Sequence, residues 1–434
     1  MQLILFQRVR MKPSVRPMLV AVLLSASAVA HAENWPQFRG PTGQGLTSET
    51  NLPLTWGGKE NENVLWKAPL PPTVANGRPD NNQSSPIVWG DRIYVTTAFW
   101  AADKPQNEFP QQHVTCYRLS DGAQQWDTVV PHGPWLMDDL RGGYAVPTPT
   151  TDGQRICVAF GSATIAALDM QGKELWHHEI EDYKSSDVCI SASPIVYRDT
   201  VILLSDKNNK TARLTAYDAA SGVIRWEKKR PTVLYGHTTP LLTTIGGKPQ
   251  MLIAASNALQ SINPDDGEML WWVETEGDVP TPVYHNGLVY TDCGSGRGSV
   301  GVAVDPAGSG NITKTNIKWR VGPIPEALGS AAAFGDSLYR LHSPAVLQCF
   351  DMATGHKRFT ARLEGVSTAS SPIVTPQGIV YFASAGKSYV IKAGPKLDIL
   401  ATNDLQDPSQ SAPAVAGGRL ILKGSRFLYC IGKK

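Results

Sequence analysis

The stretch ALDMQGKELW, residues 167–176, decides the fold of this chain. A short apolar run leads into an aspartate and a Gly-containing corner, and the segment after the corner ends on Trp176. AYDAASGVIRW, residues 216–226, repeats the same order of residues 50 positions further along. A phrase that returns at such a spacing indicates a repeat architecture.

The closing phrase occurs along almost the whole chain, in steps of 50, 50, 45, 48 and 40 residues. Six copies end on an aromatic residue, namely Trp126, Trp176, Trp226, Trp271, Trp319 and Phe359. A weaker seventh copy, VIKAGPKLDIL, ends at Leu400 without an aromatic. Each copy follows an opening phrase of small residues and a strand-like run, and seven of the eight openings contain a proline: Pro86, Pro149, Pro194, Pro240, Pro282, Pro372 and Pro413.

The sequence of one repeat unit, residues 194–229, predicts four strands. Residues 194–204, PIVYRDTVILL, contain two runs of alternating apolar residues around a tight turn. Residues 213–219 and 223–229 supply a third and a fourth run on either side of a Ser-Gly corner. Four-stranded antiparallel sheets that are apolar on both faces must stack on one another, and radial stacking gives a β-propeller.

The eight openings predict an all-β, eight-bladed β-propeller. The C-terminal unit stops after three strands, and NVLWKAPL near the other end, with Trp66 in the place of the closing tryptophan, is predicted to supply the fourth. Pairing of the two chain ends would close the ring and remove its free edges. The predicted blade anchors, which fill the gaps between neighbouring sheets, are Trp66, Trp126, Trp176, Trp226, Trp271, Trp319 and Phe359.

Residues 1–32 have the pattern of a secretory signal peptide. A positively charged segment with Arg8, Arg10, Lys12 and Arg16 precedes an apolar run, and AHA at residues 30–32 predicts cleavage after Ala32. An N-terminal membrane anchor is the alternative. The segment carries four of the 40 Lys and Arg residues and none of the 38 Asp and Glu, so the remaining chain has 36 against 38. Such a near-neutral chain offers no basic footprint for nucleic acid.

The exported chain divides into two predicted parts. Residues 33–63 lack strand periodicity and are predicted to form an irregular extension, and residues 64–434 form the propeller. The blade after the joint carries two insertions, at about residues 100–112 and 131–144, which are candidate binding elements.

The cysteines and the repeated aspartates have structural interpretations. Cys116, Cys349 and Cys430 occupy a repeat position where other copies have alanine, which predicts buried, reduced thiols. The aspartates of the corner, such as Asp169 and Asp218, are predicted to bind turn amides. No metal site is predicted.

A ligand site on a propeller is expected at the mouth of the central channel, on the loops that lead into the first strands. These loops contain polar, charged and aromatic candidates: Asn82, Arg141, Tyr144, Asp187, Tyr235, His237, Asp278, Arg297 and Glu326. The mixture suits a polar organic ligand or a peptide. A solvated pore with no ligand is the alternative.

The pattern A-x-D-x-x-x-G-x-x-x-W, together with NWPQFRGP at residues 34–41, resembles the PQQ-like repeat β-propellers, which include exported PQQ-binding-like and BamB-like repeat proteins. The family contains both quinoprotein dehydrogenases and non-enzymatic scaffolds. The resemblance to quinoproteins would imply pyrroloquinoline quinone (PQQ), adjacent cysteines and a calcium site, but this chain has no adjacent cysteines and no matching calcium ligands. It also lacks the lipidated N-terminal cysteine that a BamB-like lipoprotein would carry.

Three functions therefore stay open. The first is an exported, periplasmic or secreted, non-enzymatic scaffold that binds a protein or ligand at its rim. The second is a quinoprotein-like oxidoreductase that holds PQQ at the channel mouth, with Asp187, Asp278 or Glu326 as base. The third is a carbohydrate-active propeller.

Overall fold

The computed structural model describes residues 33–137, 140, 142–180, 190–206, 212–230, 236–255, 258–275, 279–292 and 300–434. They form eight antiparallel sheets arranged in a ring, which confirms the eight-bladed propeller. Within each of blades 2 to 8 four strands follow one another from the channel outward in chain order, and the short strands β2 and β22 are added to the sheets of blades 2 and 5.

Blade 1 begins with β1 (Val64–Pro69), which is followed by α1 (Pro71–Val74). Blade 2 contains β2 (Arg78–Pro79), β3 (Ile87–Trp89), β4 (Arg92–Trp100), β5 (Gln111–Arg118) and β6 (Gln124–Val130), and blade 3 contains β7 (Thr150–Thr151), β8 (Arg155–Phe160), β9 (Thr164–Asp169) and β10 (Glu174–Glu179). Blade 4 contains β11 (Ile195–Tyr197), β12 (Thr200–Ser205), β13 (Arg213–Asp218) and β14 (Ile224–Lys229). Blade 5 contains β15 (Leu241–Ile245), β16 (Lys248–Ala254), β17 (Ala258–Ile262) and β18 (Met269–Glu274).

Blade 6 contains β19 (Val283–His285), β20 (Leu288–Thr291), β21 (Gly301–Val304) and, after β22 (Gly310–Asn311) and α2 (Thr313–Asn316), β23 (Ile317–Val321). Blade 7 contains β24 (Ala332–Phe334), β25 (Ser337–His342), β26 (Val346–Asp351) and β27 (Lys357–Arg362). Blade 8 contains β28 (Ile373–Val374), β29 (Ile379–Phe382), β30 (Lys387–Lys392) and β31 (Ile399–Asp404). Blade 1 is completed by β32 (Ala414–Ala416), β33 (Arg419–Lys423) and β34 (Phe427–Gly432).

The ring is closed by the two ends of the propeller, as predicted. Strand β1 pairs antiparallel with β34, with Trp66 opposite Cys430 and Ala68 opposite Leu428. Blade 1 therefore contains one strand from the start of the propeller and three from its end.

The repeated Gly and Trp meet between neighbouring blades. Trp126 of blade 2 donates its indole N–H to the carbonyl of Met170 in blade 3, at 3.2 Å. The same ring covers Gly172, which has a φ of +86° and where a Cβ would lie 2.6 Å from the indole. Trp176 meets Gly222 of blade 4 in the same way, with the would-be Cβ 2.7 Å from the ring. The corner glycines of blades 2, 3, 4, 5 and 7 are thus required by the tryptophan of the preceding blade.

The seventh closing phrase has a different register from the one predicted. In blade 8 Ala401 lies opposite Val390, where the other blades have their aromatic residue. Leu400 is instead 40% exposed. All eight blades have a β-bulge here, but the two paired residues are eleven positions apart in blade 8 and ten apart in blades 2, 4, 5 and 7, because the corner of blade 8 is one residue longer.

A ring of hydroxyl groups joins the inner ends of the blades. Seven blades have Ser or Thr two residues before the inner strand begins, and blade 1 has alanine there: Ser85, Thr148, Ser193, Thr239, Thr281, Ser330, Ser371 and Ala412. Five backbone N–H groups donate to the hydroxyl of the next blade at 2.9–3.0 Å, from Ser85 to Thr148, Thr148 to Ser193, Ser193 to Thr239, Thr281 to Ser330 and Ser330 to Ser371. Ala412 N donates to Ser85 Oγ at 3.0 Å, and the Thr281 hydroxyl donates to Thr239 O.

Restoring the missing hydroxyl is expected to stabilise the protein. Ala412 is 5% exposed, and a serine there would place Oγ where the N–H of Ser371 can donate to it. One additional buried hydrogen bond contributes about 0.5–1.5 kcal/mol. Urea denaturation of Ala412→Ser should therefore show a higher free energy of unfolding, whereas Ala416→Ser, also buried but outside the ring, should not. A destabilised Ala412→Ser protein would contradict the role of the ring.

The segment before β1 lies against the inner strands of several blades. Trp35 pairs with Val88 of blade 2, and Leu46 pairs with Val374 of blade 8. The Arg39 guanidinium donates to Ala331 O of blade 7 at 2.6 Å. Trp35 and Trp56 are buried, while Phe38 is half-buried.

Four thiols lie in the described part of the chain and all are buried and unpaired: Cys116, Cys157, Cys349 and Cys430. Burial raises the pKa of Cys349 to about 11 and that of Cys116 to about 12, so both thiols stay protonated at neutral pH. Across the described residues no helix is long and apolar enough to cross a membrane.

Candidate functional site

One end of the propeller collects the loops that enter the inner strands and the loops that join the second and third strands. These two sets lie at the same end because the strands within each blade are antiparallel. Two clefts lined by described residues open there, one over blades 8, 1 and 2 and one between the two insertions of blade 2. They are called here the polar cleft and the insertion groove.

The polar cleft has a volume of about 360 Å³ and is lined by small and polar residues. Its walls are Pro79, Asp80, Asn81, Asn82, Gly365, Ser367, Ser384, Gly386, Pro408, Ser409, Gln410, Gly424 and Ser425. The volume lies at the lower end of the range of small-ligand sites, and the absence of aromatic rings from these walls distinguishes the cleft from most of them.

Two copies of one short motif form opposite sides of the polar cleft. The sequence D-x-x-Q-S-x-P occurs at residues 80–86 and again at residues 407–413, in the loops that enter blades 2 and 1. Asp407 is fully buried and Asp80 is half-buried, and both hold their loops in place. Because the aspartates fix the loops, the residues that follow them line the cleft.

The aspartates act through several hydrogen bonds each. Asp407 accepts the hydroxyl of Ser425 at 2.6 Å, the backbone N–H of Phe427 at 3.0 Å and the hydroxyl of Tyr429 at 3.2 Å. Asp80 accepts the backbone N–H of Tyr144. Burial raises the pKa of Asp80, and the backbone donors oppose the shift.

Few polar side chains of the cleft remain available to a ligand. Asn82 is bonded to both backbone groups of Ala98, at 2.7 and 3.2 Å, and therefore fastens the loop to β4. Ser367 and Gln410 have no hydrogen bond to a described residue, and Gln410 is exposed. A hydroxyl and a carboxamide, rather than a charge, are the groups that the cleft offers.

Lys423 lies next to the wall of the polar cleft and is buried. Its Nζ donates to Ser84 Oγ at 2.6 Å and to Thr96 O at 3.2 Å. Within the described residues no carboxylate forms an ion pair with it. Burial lowers the pKa of Lys423 from 10.5 to about 7.

This burial predicts a pH dependence of stability. Between pH 7 and 10 the folded protein holds Lys423 largely neutral while the unfolded chain keeps it protonated, so the unfolded state binds more protons and stability rises with pH. Below pH 7 the amine is charged in both states and the full cost of burying it remains. The contribution is roughly 1 kcal/mol per pH unit in this window.

Urea denaturation from pH 6 to 9.5 checks this prediction. Lys423→Met should be more stable than wild type at pH 6, and the difference should shrink towards pH 9.5. A constant difference across this range would contradict the prediction, because it would show that Lys423 stays protonated in the folded protein as it does in the unfolded chain.

The insertion groove has a volume of about 600 Å³. Its walls are Asn107, Glu108, Phe109, Pro110, Gln111, Gln112, Val129, Val130, Pro131, His132 and Leu136. The two insertions meet where the ring of Phe109 stacks on that of His132, with centroids 3.7 Å apart and planes 5° from parallel. Val129 and Leu136 in these walls are 56% and 36% exposed.

Contacts to the blades hold both insertions in place. The indole of Trp100 donates to Glu108 O at 2.8 Å in the first. In the second, Gly133 N donates to Ser162 Oγ at 3.0 Å. The groove is therefore formed before any ligand arrives.

The predicted site residues fall into three groups. Arg141, Asp187, Tyr235, Asp278 and Arg297 lie outside the described residues. Asn82 lines the polar cleft, and Glu326 is exposed at the entrance to blade 7. Tyr144 is fully buried, and its hydroxyl accepts the backbone N–H of Met137 at 2.9 Å, so it supports the second insertion from within.

His237 is paired with a serine. Its Nδ1 lies 2.7 Å from Ser191 Oγ, which resembles the contact of a nucleophile with its base. Burial lowers the pKa of His237 to about 4, so the imidazole is neutral above pH 5 and accepts the hydroxyl proton only weakly. The geometry supports a structural contact between the loops that enter blades 4 and 5.

The sequence prediction missed Asp80, Asp407, Gln410 and Lys423. The repeated D-x-x-Q-S-x-P motif was available as a signal for the first three. No sequence pattern marks Lys423, because its burial depends on Ser84 and Thr96, which come from the opposite end of the propeller chain.

Comparisons with known proteins agree on the fold. The family model described as outer membrane protein assembly factor BamB matches residues 110–361. A search of curated proteins found no match. Among solved structures, BamB from Moraxella catarrhalis is similar with a TM-score of 0.58 and 13% identity, over 86% of this chain and 97% of that one.

Two further structures are similar over most of their length. A europium-containing methanol dehydrogenase gives a TM-score of 0.51 with 12% identity, over 90% of this chain and 89% of that one. The computationally designed Ika8 protein gives 0.54 with 12% identity, over 85% and 99%. At these identities the similarity shows a common fold.

Proposed function

The chain belongs to the family of the outer membrane protein assembly factor BamB, and on this premise we propose that it is an exported, non-enzymatic propeller that binds a partner protein at the channel-mouth end. The observation that carries the proposal is the chemistry of the polar cleft. Its walls offer amide, hydroxyl and backbone groups, and its one carboxylate, Asp80, is already bonded to backbone N–H groups.

A scaffold differs from an enzyme in what its cleft must do. An enzyme needs a nucleophile, acid or base with a pKa suited to proton transfer and within reach of the substrate. In the polar cleft the side chains without a hydrogen bond to a described residue are Ser367 and Gln410. They can accept or donate hydrogen bonds but do not titrate near neutral pH. Such groups suit recognition of a neutral polar segment.

Site-specific photocrosslinking tests the scaffold proposal. A benzophenone amino acid at position 410 should give discrete crosslinked adducts when the protein is expressed in a bacterial host that exports it. Gln377 is the matched control, because it is also an exposed glutamine but lies in the turn between β28 and β29 at the other end of blade 8. Equal adducts from both positions, or none from position 410, would contradict the proposal.

Titration with PQQ and calcium separates this function from a quinoprotein-like oxidoreductase. The scaffold is expected to produce no change in the quinone spectrum and no dye reduction with alcohols or sugars. Saturable quinone binding with turnover would establish the oxidoreductase instead. N-terminal sequencing of the mature protein tests export, with Glu33 expected as the first residue.

A further inference from the structure

The outer edge of a propeller blade is an open strand edge, and within the described residues the chain covers two of these edges with segments of its own. In blade 5, β22 pairs parallel with β18, with Gly310 beside Trp271 and Asn311 beside Trp272. In blade 8, Gly57 forms a parallel bridge to Asp404 of β31. The outer strands therefore accept an extra parallel segment without any change of fold.

The contacts in blade 5 identify which backbone groups point outward. Ile312 N donates to Trp272 O at 3.1 Å, and Glu274 N donates to Thr313 Oγ1 at 3.0 Å. Trp272 and Glu274 lie one and three residues after the blade-closing tryptophan. In blade 2 the residues at these two positions are Asp127 and Val129, since Trp126 and Trp271 hold the same place in their sheets.

In most blades the residue three positions after the closing residue is one that discourages pairing of the outer strand with another chain. In blades 1 to 8 this position is occupied by Pro69, Val129, Glu179, Lys229, Glu274, Gly322, Arg362 and Asp404. Charged residues and proline at an edge discourage pairing with another chain. Val129 is the only branched apolar residue in the set, and it is 56% exposed.

The unguarded edge also coincides with a preformed groove. Val129 and Val130 at the end of β6 form part of the wall of the insertion groove, together with Leu136 and the stacked rings of Phe109 and His132. Within the described residues β6 pairs with β5 alone. An open edge next to an apolar groove supplies main-chain hydrogen bonds and a side-chain pocket at one place.

We propose that the outer edge of blade 2 binds an extended apolar segment of a partner protein, which adds to β6 as a parallel fifth strand. The segment donates to Asp127 O, accepts from Val129 N and places an apolar side chain between Val129, Leu136 and the ring of His132. This inference rests on the proposed scaffold function, because it requires a partner protein. It assigns that partner a contact surface different from the polar cleft.

Peptide binding to the full-length mature protein tests the proposal. The probe is a capped, fluorescein-labelled hexapeptide in which valine and threonine alternate, followed by fluorescence anisotropy. Wild type should bind it saturably, and Val129→Pro, which removes the outward N–H, should weaken binding at least tenfold. Val129→Glu, which installs the guard found in blade 3, should do the same and needs no change of backbone.

Lys229→Pro is the matched control, because it makes the same change at the same position of blade 4. It should leave peptide binding unchanged, and hydrogen exchange should show protection of the Val129 amide in the wild-type complex. Absence of peptide binding by wild type, full binding by Val129→Glu, or equal loss in Lys229→Pro would each overturn the proposal. If position 410 still forms adducts in that case, the scaffold function stands and only the edge assignment fails.

Discussion

Replacing Arg340 with methionine is expected to lower the free energy of unfolding by about 3–5 kcal/mol. Arg340 is fully buried, and its Nε donates to both carboxylate oxygens of Asp292, at 3.1 and 2.8 Å. Its Nη1 donates to Gln348 at 3.0 Å and its Nη2 to Pro325 O at 2.7 Å. Methionine fills a similar volume but leaves a buried carboxylate without its counter-ion, which is the main source of the loss.

The double variant Arg340→Met with Asp292→Leu separates charge from packing. Removing both charges together should recover most of the stability lost in the single variant, because a buried ion pair is worth little compared with apolar residues of similar size. Urea or thermal denaturation at pH 7 gives both values. A single variant that loses less than about 1 kcal/mol would mean that Asp292 is solvated or protonated in the folded protein.

Ending the chain at Arg426 is expected to abolish cooperative folding. The deletion removes β34, which lies between β1 and β33 in blade 1. Leu428, Cys430 and Ile431 are fully buried in this strand, and each large apolar side chain contributes about 1.5–3 kcal/mol. Together with the backbone pairing of β1, the loss is comparable to the whole stability of a typical domain, about 5–15 kcal/mol.

A chain that ends at Gly432 provides the control. It lacks only Lys433 and Lys434, which are exposed and follow the last strand. This protein should retain the near-native circular dichroism and the single unfolding transition of wild type. A cooperative transition in the chain that ends at Arg426 would show that the ring does not depend on the closure seen in blade 1.

Much of the architecture was predictable because it depends on short-range patterns that recur. In blades 2, 3, 4, 5 and 7 the Gly of the corner packs against the closing tryptophan of the preceding blade, as Gly172 and Trp126 show. Counting the openings was enough to predict eight blades, and the shortage of one strand at the C-terminus was enough to place β1 beside β34. The weaker seventh phrase was read as ending at Leu400, but Ala401 holds the place of the closing aromatic, because the corner of blade 8 is one residue longer than those of blades 2, 4, 5 and 7.

The site was less predictable, since exposure and hydrogen bonding at a loop depend on what packs against it. Asn82 and Tyr144 were chosen as polar residues on rim loops, but the carboxamide is bonded to Ala98 and the phenol is buried. Gln410 was not chosen, although the motif around it repeats the motif that contains Asn82. Residue type alone does not show whether a polar group forms a hydrogen bond within the fold or remains available to a ligand.

The sequence by itself determined the repeat, the strand order and the closed ring of eight sheets, because each blade is stabilised by residues near one another in the chain. The positions of the two clefts depend on the tertiary structure, and so does the place of Val129 in the wall of the insertion groove. The polar cleft joins loops from residues 79–82, 365–386 and 408–425, and Lys423 is buried by residues more than 300 positions away. Contacts of that range leave no periodic trace in the sequence, since ring closure alone brings them together.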